Sequence, residues 1–140
     1  MRVRGRASVA CEVLRALGPL VVIEISLRTS GLPATCRRLR VRCDLDSAAP
    51  PAARLAVLPR DAGAAVRASR AVVARWPGGD TCLRQCLLIG HRLRGLGPVL
   101  RIGVKRDQDG VFSAHSWLEI RGRTLDPTAS AYAALGSTGR

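Results

Sequence analysis

The sequence predicts an α+β fold: N-terminal helices, then a further helix packed on a small antiparallel sheet. Three observations predict it. Apolar residues recur at helical spacing up to Gly95, the period changes after Pro98 to β-branched runs, and the stretch Arg106-Asp107-Gln108-Asp109-Gly110 between two such runs is turn chemistry.

From about Ala7 to Arg28, Val9, Val13, Leu14 and Leu17 have helical spacing. Leu20, Val21, Ile23, Ile25 and Leu27 fit helix or strand, and Gly18-Pro19 marks a kink or boundary, which gives two helical pieces. The basic run Arg37-Arg38-Leu39-Arg40-Val41-Arg42 leads through Asp44-Leu45-Asp46 to Pro50-Pro51, whose prolines fit neither a helix interior nor a central strand. It reads as a loop or linker. From Asp61, an expected N-cap, Val66, Ala68, Val72 and Val73 form the apolar stripe of a helix that stops at Trp76-Pro77-Gly78-Gly79. Another helix begins at Thr81-Cys82 and runs through Leu83, Leu87, Leu88 and Leu93 until Gly95 and Gly97-Pro98 end it. Val99 to Val104 and Val111 to Ile120 read as neighbouring antiparallel strands, and Arg121-Gly122-Arg123 connects tightly to a third, Thr124-Leu125-Asp126, closed by Pro127.

A length of 140 residues suits one domain, divided here into a helical lead-in and linker over 1–60 and a core over 61–140. Hydrophobic residues at 47% support a buried core and disfavour disorder, while aromatics at 3% leave few rings on which single-stranded nucleic acid could stack. The net charge of +13 is almost all arginine, since Lys105 is the only lysine, and it is spread along the chain. Such a charge fits an anionic partner and equally the compositional bias of a GC-rich genome. Five cysteines without a secretory leader argue against a disulfide framework and for a reducing, cytoplasmic setting. The most apolar stretch, Gly18 to Leu27, is broken by Pro19 and Glu24 and is shorter than the roughly 20 residues a bilayer requires.

Three residues carry chemistry in chain order: Cys82 at the start of a helix, His115 within a strand, and Asp126 at the end of the adjoining strand. A helix N-terminus offers unpaired amides and the positive end of the dipole, a setting that favours thiolates. If the strands of His115 and Asp126 pair across their short turn, the carboxylate can hold one ring nitrogen and leave the other for the thiol. Singly, each residue has a plainer reading as buried thiol, structural histidine or turn aspartate, and Cys86, one turn beyond Cys82, fits the first of these. A zinc site from Cys82, Cys86, His91 and His115 competes, but no CxxC pair supports it, and no metal or other cofactor is expected. A basic nucleic-acid-binding module would leave the Cys, His and Asp order without purpose.

The stretch from Asp80 to Pro127 resembles the transglutaminase-like cysteine protease family of lasso-peptide biosynthesis, the B proteins that remove the leader from a precursor peptide. The likeness rests on Cys82-Leu83 opening a long helix, the strand IGVKRD, the segment AHSWLEI, and a Gly-containing turn into a strand ending in Asp126. It implies a Cys82, His115, Asp126 triad that cleaves the leader and frees the core amine for macrolactam closure by a separate ATP-dependent cyclase. Some such proteases are fused to a winged-helix recognition domain, for which 140 residues leave no room, so a separate recognition protein is the expected partner. The apolar segment around Leu20 to Leu27 is a candidate docking patch for it. The same triad would also serve another acyl-transfer enzyme or an amidase.

Overall fold

The computed structural model describes residues 2–79 and 81–136, so Asp80, which opens the stretch of resemblance, and residues 137–140 lie outside the described residues. The element order is α1 (Arg2–Leu39), β1 (Arg42–Asp44), α2 (Arg60–Ala74), α3 (Cys82–Arg92), β2 (Val99–Arg106), β3 (Phe112–Ile120), β4 (Arg123–Thr124) and β5 (Ala133–Ala134). Three helices and a mixed five-stranded sheet make the α+β arrangement that the change of period predicts.

The N-terminal helix is broken at Gly31 and not at Gly18-Pro19. Gly31 has φ 76 and ψ 176, a region open only to glycine, whereas Pro19 is carried inside the helix. Across the break, the Thr35 hydroxyl lies 2.7 Å from the Gly31 carbonyl and 2.8 Å from the Ser26 hydroxyl, which also accepts from Arg38 at 3.1 Å. Both hydroxyls are buried, so this cluster ties the short C-terminal piece to the long one. Pro33 then falls in the first turn of that piece, where a missing N–H costs nothing.

The run expected as linker contains a strand. β1 pairs in parallel with the start of β2, Cys43 opposite Leu100, and this makes the sheet mixed and not antiparallel throughout. Its three residues have no alternation of their own; the edge of β2 recruits them. β5 pairs antiparallel with Gly103 and Val104 further along β2, which a reading ending at Pro127 also missed. The third strand is shorter than expected, Arg123–Thr124, with only the Leu125 amide reaching on to the Leu118 carbonyl.

α2 buries Ala62, Ala65, Val66, Ser69, Val72 and Val73, a stripe at helical spacing. Its N-cap is Pro59 with no side-chain bond, and Asp61 lies inside the first turn, a position favoured by the dipole. α3 is central: Cys86, Leu87, Leu88, Ile89 and Gly90 are all buried, and a Cβ on Gly90 would stand 3.0 Å from Val41. Glycine there lets α3 approach the α1–β1 junction. The main core joins Ala16, Leu20 and Ile23 of α1 to α2, α3, Leu100, Leu118 and Ile120. Each fully buried Leu or Ile is worth about 1.5–3 kcal/mol of transfer free energy, so α1 is integral to the packing. A second, smaller cluster of Trp117, Ala129 and Ala134, with Tyr132 against it, forms where β5 and its approach cover the sheet.

Candidate active site

Thr81 caps α3 in extended conformation, φ −119 and ψ 145, and its hydroxyl oxygen accepts the Arg84 amide at 3.2 Å. Cys82 is therefore the first helical residue, and its amide belongs to the turn that has no carbonyl partners one turn earlier in the helix. The Arg84 amide of that turn is taken by Thr81, and those of Cys82 and Leu83 have no helical carbonyl to bond, so they can serve an anion.

The position of that helix start is set from α1. Glu24 accepts Arg84 Nε at 2.8 Å and Nη2 at 3.1 Å, the paired contact in which guanidinium and carboxylate planes match. Trp76 Nε1 donates to the same carboxylate at 3.3 Å, and Arg84 Nη1 reaches back to the Gly79 carbonyl at 3.3 Å. One half-buried acid thus holds the Trp76-Pro77-Gly78-Gly79 turn and the first turn of α3 together. Gly78 has no room for more, since a Cβ there would meet the Trp76 ring at 3.0 Å. The Arg84 hydrogen bond leads in pulling the Glu24 carboxyl down to about 2; burial opposes it, and Trp76 with the charges of Arg84 and Arg28 adds to the lowering. Because the folded value lies below the unfolded one of 4.5, this carboxylate stabilises the fold above that pH, and its contribution is lost as pH falls toward 2. Unfolding titrations across that window should show stability falling with pH in the wild type and a flatter profile in Glu24→Gln.

His115 lies on β3 opposite Gly103. Its Nε2 hydrogen-bonds the Oδ2 of Asp126, while Oδ1 of that aspartate accepts the Thr128 amide at 2.8 Å and the Thr128 hydroxyl at 2.7 Å. The two carboxylate oxygens are divided between the ring and the Asp-Pro-Thr turn. Burial pushes the Asp126 carboxyl up, but the hydrogen bonds from His115 and Thr128 together outweigh it and hold it below its ordinary value. An ionised carboxylate only accepts, so Nε2 carries the proton and Nδ1 is left as the basic nitrogen. Tyr132 packs on the imidazole at a centroid distance of 4.9 Å, Trp117 stacks at 6.4 Å, and Lys105 Nζ stands 5.0 Å above the Tyr132 ring.

Short β4 creates the place where helix and strand meet. On β3, the carbonyls of Ser116 and Leu118 point the same way, and Leu118 accepts Leu125 whereas Ser116 lies beyond the end of β4. The Cys86 thiol takes that vacant carbonyl at 3.3 Å. It is buried, and desolvation leads in pushing it up to about 12, so it behaves as a neutral donor. Around this junction Cys82, His115 and Asp126 line one cavity of about 70 Å³, together with Cys86. All three residues read from the sequence therefore converge. A larger cleft of about 460 Å³, lined by Ala56, Leu58, Ile120 and Arg123 among others, carries no thiol, imidazole or carboxylate.

Of the competing metal ligands, His91 is engaged elsewhere, its Nδ1 3.0 Å from the Leu39 carbonyl. Among the described residues no three His, Cys, Asp or Glu side chains gather as a metal site. No helix among them is long and apolar enough to cross a membrane. Sequence reasoning missed Glu24, Arg84, Thr128 and Tyr132 as parts of the site. Only Glu24 left a signal, as a lone acid inside an apolar helical run.

A cysteine at a helix start, an imidazole on a neighbouring strand and a carboxylate just beyond the next form an arrangement suited to thiol acyl chemistry. No curated protein and no solved structure matches the chain. The profile of one family does, over residues 19–137, taking in most of α1 as well as the stretch around the cavity. The chain belongs to the transglutaminase-like superfamily, a fold of cysteine peptidases and acyl-transfer enzymes.

Proposed function

We propose that this protein is the leader peptidase of lasso-peptide maturation, cleaving a precursor peptide by a Cys82, His115, Asp126 mechanism. The observation that carries the reading is the cavity lined by all three residues, with the imidazole held through Nε2 by Asp126. His115 Nδ1 takes the proton from Cys82 Sγ, and the thiolate attacks the carbonyl carbon at the leader–core junction. The oxyanion is received by the amides of the first turn of α3, Cys82 foremost. As the tetrahedral intermediate collapses, the imidazolium returns its proton to the departing core amine, and the C–N bond breaks. The leader remains as a thioester on Cys82 until water, deprotonated by the same imidazole, releases it as a carboxylic acid. A separate ATP-dependent cyclase would then join the freed amine to an acidic side chain of the core.

The precursor would be delivered by a separate winged-helix recognition protein, and the reaction is tested with all three components. Mass spectrometry should find free leader acid and free core peptide. A leader joined to an amine, or a deamidated glutamine with the backbone intact, would assign the same site to acyl transfer or amide hydrolysis instead. The Glu24–Arg84 clamp enters here as a positioning device: Glu24→Gln should lower kcat about 10- to 100-fold with KM little changed, because the helix start that carries Cys82 is loosened while the peptide-binding surface is not.

A further inference from the structure

α1 is apolar on both sides. Ala16, Leu20 and Ile23 are fully buried in the core, yet Leu14 is 69% exposed, Val21 44%, Val22 45% and Ile25 56%. Leu14, Gly18, Val21 and Ile25 lie at i, i+4, i+7 and i+11, one continuous stripe on the outward face, and nothing stands within 4 Å of a Cβ built on Gly18. Beside the stripe, Leu17 at 37% exposure forms the lip of a cleft of about 350 Å³ between α1 and α2, floored by Val13, Val72, Trp76 and Pro77. A helix with one apolar side in the core and a second apolar side in solvent is a helix awaiting a partner.

The margins of this face are basic. Both α1 acids between Val9 and Arg28 turn toward α3: Glu12 to Arg92 and Glu24 to Arg84. Arg15 and Arg28, 65% and 73% exposed, each share a carboxylate that another arginine already pairs, which leaves excess positive charge at the two ends of the stripe. Arg75 lines the cleft as well. A second copy would bring the same arginines against each other on chains of net charge +13. A bilayer surface is too flat to fill the cleft between two helices, whereas the side chains of a helix, spaced three and four apart, match both stripe and cleft.

We propose that the outward face of α1, with the α1–α2 cleft, docks an amphipathic helix of a partner protein, apolar along one side and acidic at its margins. This deepens the reading that a second protein delivers the peptide, and rests on that reading only for what the partner brings. The partner's carboxylates pair with Arg28 and Arg75 while its apolar side chains cover Leu14, Val21 and Ile25.

The test uses the full chain carrying Cys82→Ala, without precursor, and two labelled 18-residue helical peptides that share a Leu/Ile face and differ only in Glu or Lys at the flanks. The acidic peptide should bind about tenfold tighter or more, weaken as salt rises, and lose about tenfold on Ile25→Glu, an exposed substitution that leaves the core alone. Arg75→Glu should narrow the preference between the two peptides. Equal binding of both peptides, no binding of either, or indifference to Ile25→Glu overturns the proposal. So does a concentration-dependent dimer that Ile25→Glu dissolves, which assigns the face to self-pairing, or Ile25-dependent capture by phosphatidylglycerol vesicles with no peptide preference, which assigns it to a membrane. Since no cleavage is measured, failure here leaves the peptidase reading standing, and absence of cleavage by the wild type with peptide binding intact rejects that reading alone.

Discussion

Cys82→Ala should abolish leader release, lowering the rate by about 10⁴-fold or more, while thermal unfolding stays close to that of the wild type. The side chain is only half-buried at the first position of α3, and helix propensity rises with alanine, so the fold loses little. Cys86→Ala is the matched control one turn further on. Its thiol is buried, donates to the Ser116 carbonyl and is pushed up to about 12, so it is a poor nucleophile near neutral pH. Removing it should cost on the order of 1 kcal/mol of stability by orphaning that carbonyl, with the rate per folded molecule nearly unchanged. Unfolding curves alongside single-turnover cleavage separate the two thiols. A well-folded, inactive Cys86→Ala together with an active Cys82→Ala would exchange their roles.

The second large effect is expected at the base and its holder. His115→Ala removes the group that takes the thiol proton and returns it to the leaving amine, so its loss should match that of Cys82→Ala, and the double variant should be no worse than either single one. Asp126→Ala should retain more activity, with a fall of about 10²- to 10⁴-fold, because the imidazole persists and only its tautomer and direction are released. The carboxyl of Asp126 sits below its ordinary value of 3.8, so its hold on the ring persists through mildly acid pH and weakens only as pH falls through that lowered value. Asp126→Ala should accordingly lower the rate at every pH above that value, since the carboxylate it removes is ionised throughout. Equal activity of wild type and Asp126→Ala across pH would remove the aspartate from the mechanism.

Much of this site was legible because its parts are local signals. Thr81-Cys82 after a Gly-Gly turn announces a capped helix, and His115 lies on β3 with Asp126 two residues beyond β4, the strands joined by Arg121-Gly122, so bringing the two together needs little more than a tight turn. Both later helices were legible for a similar reason: the apolar stripe of α2 and the start of α3 are written in residues three and four apart. The strands recruited by β2 were not, since Arg42–Asp44 and Ala133–Ala134 have no pattern of their own. Nor was the break in α1, where a proline at position 19 outweighed in prospect a glycine at 31 whose left-handed backbone only the folded chain reveals.

What the sequence determined by itself was the two later helices, the central strand pair that follows them and the candidate thiol, imidazole and carboxylate, because these depend on spacing within a few residues. Only the tertiary structure decided that Glu24 would reach across 60 positions to hold Arg84 beside Cys82, that Nε2 and not Nδ1 would face Asp126, and that one side of α1 would be left uncovered. Such choices depend on which surfaces meet, and contacts between residues far apart in the chain follow from the packing of the whole core, which no local window contains.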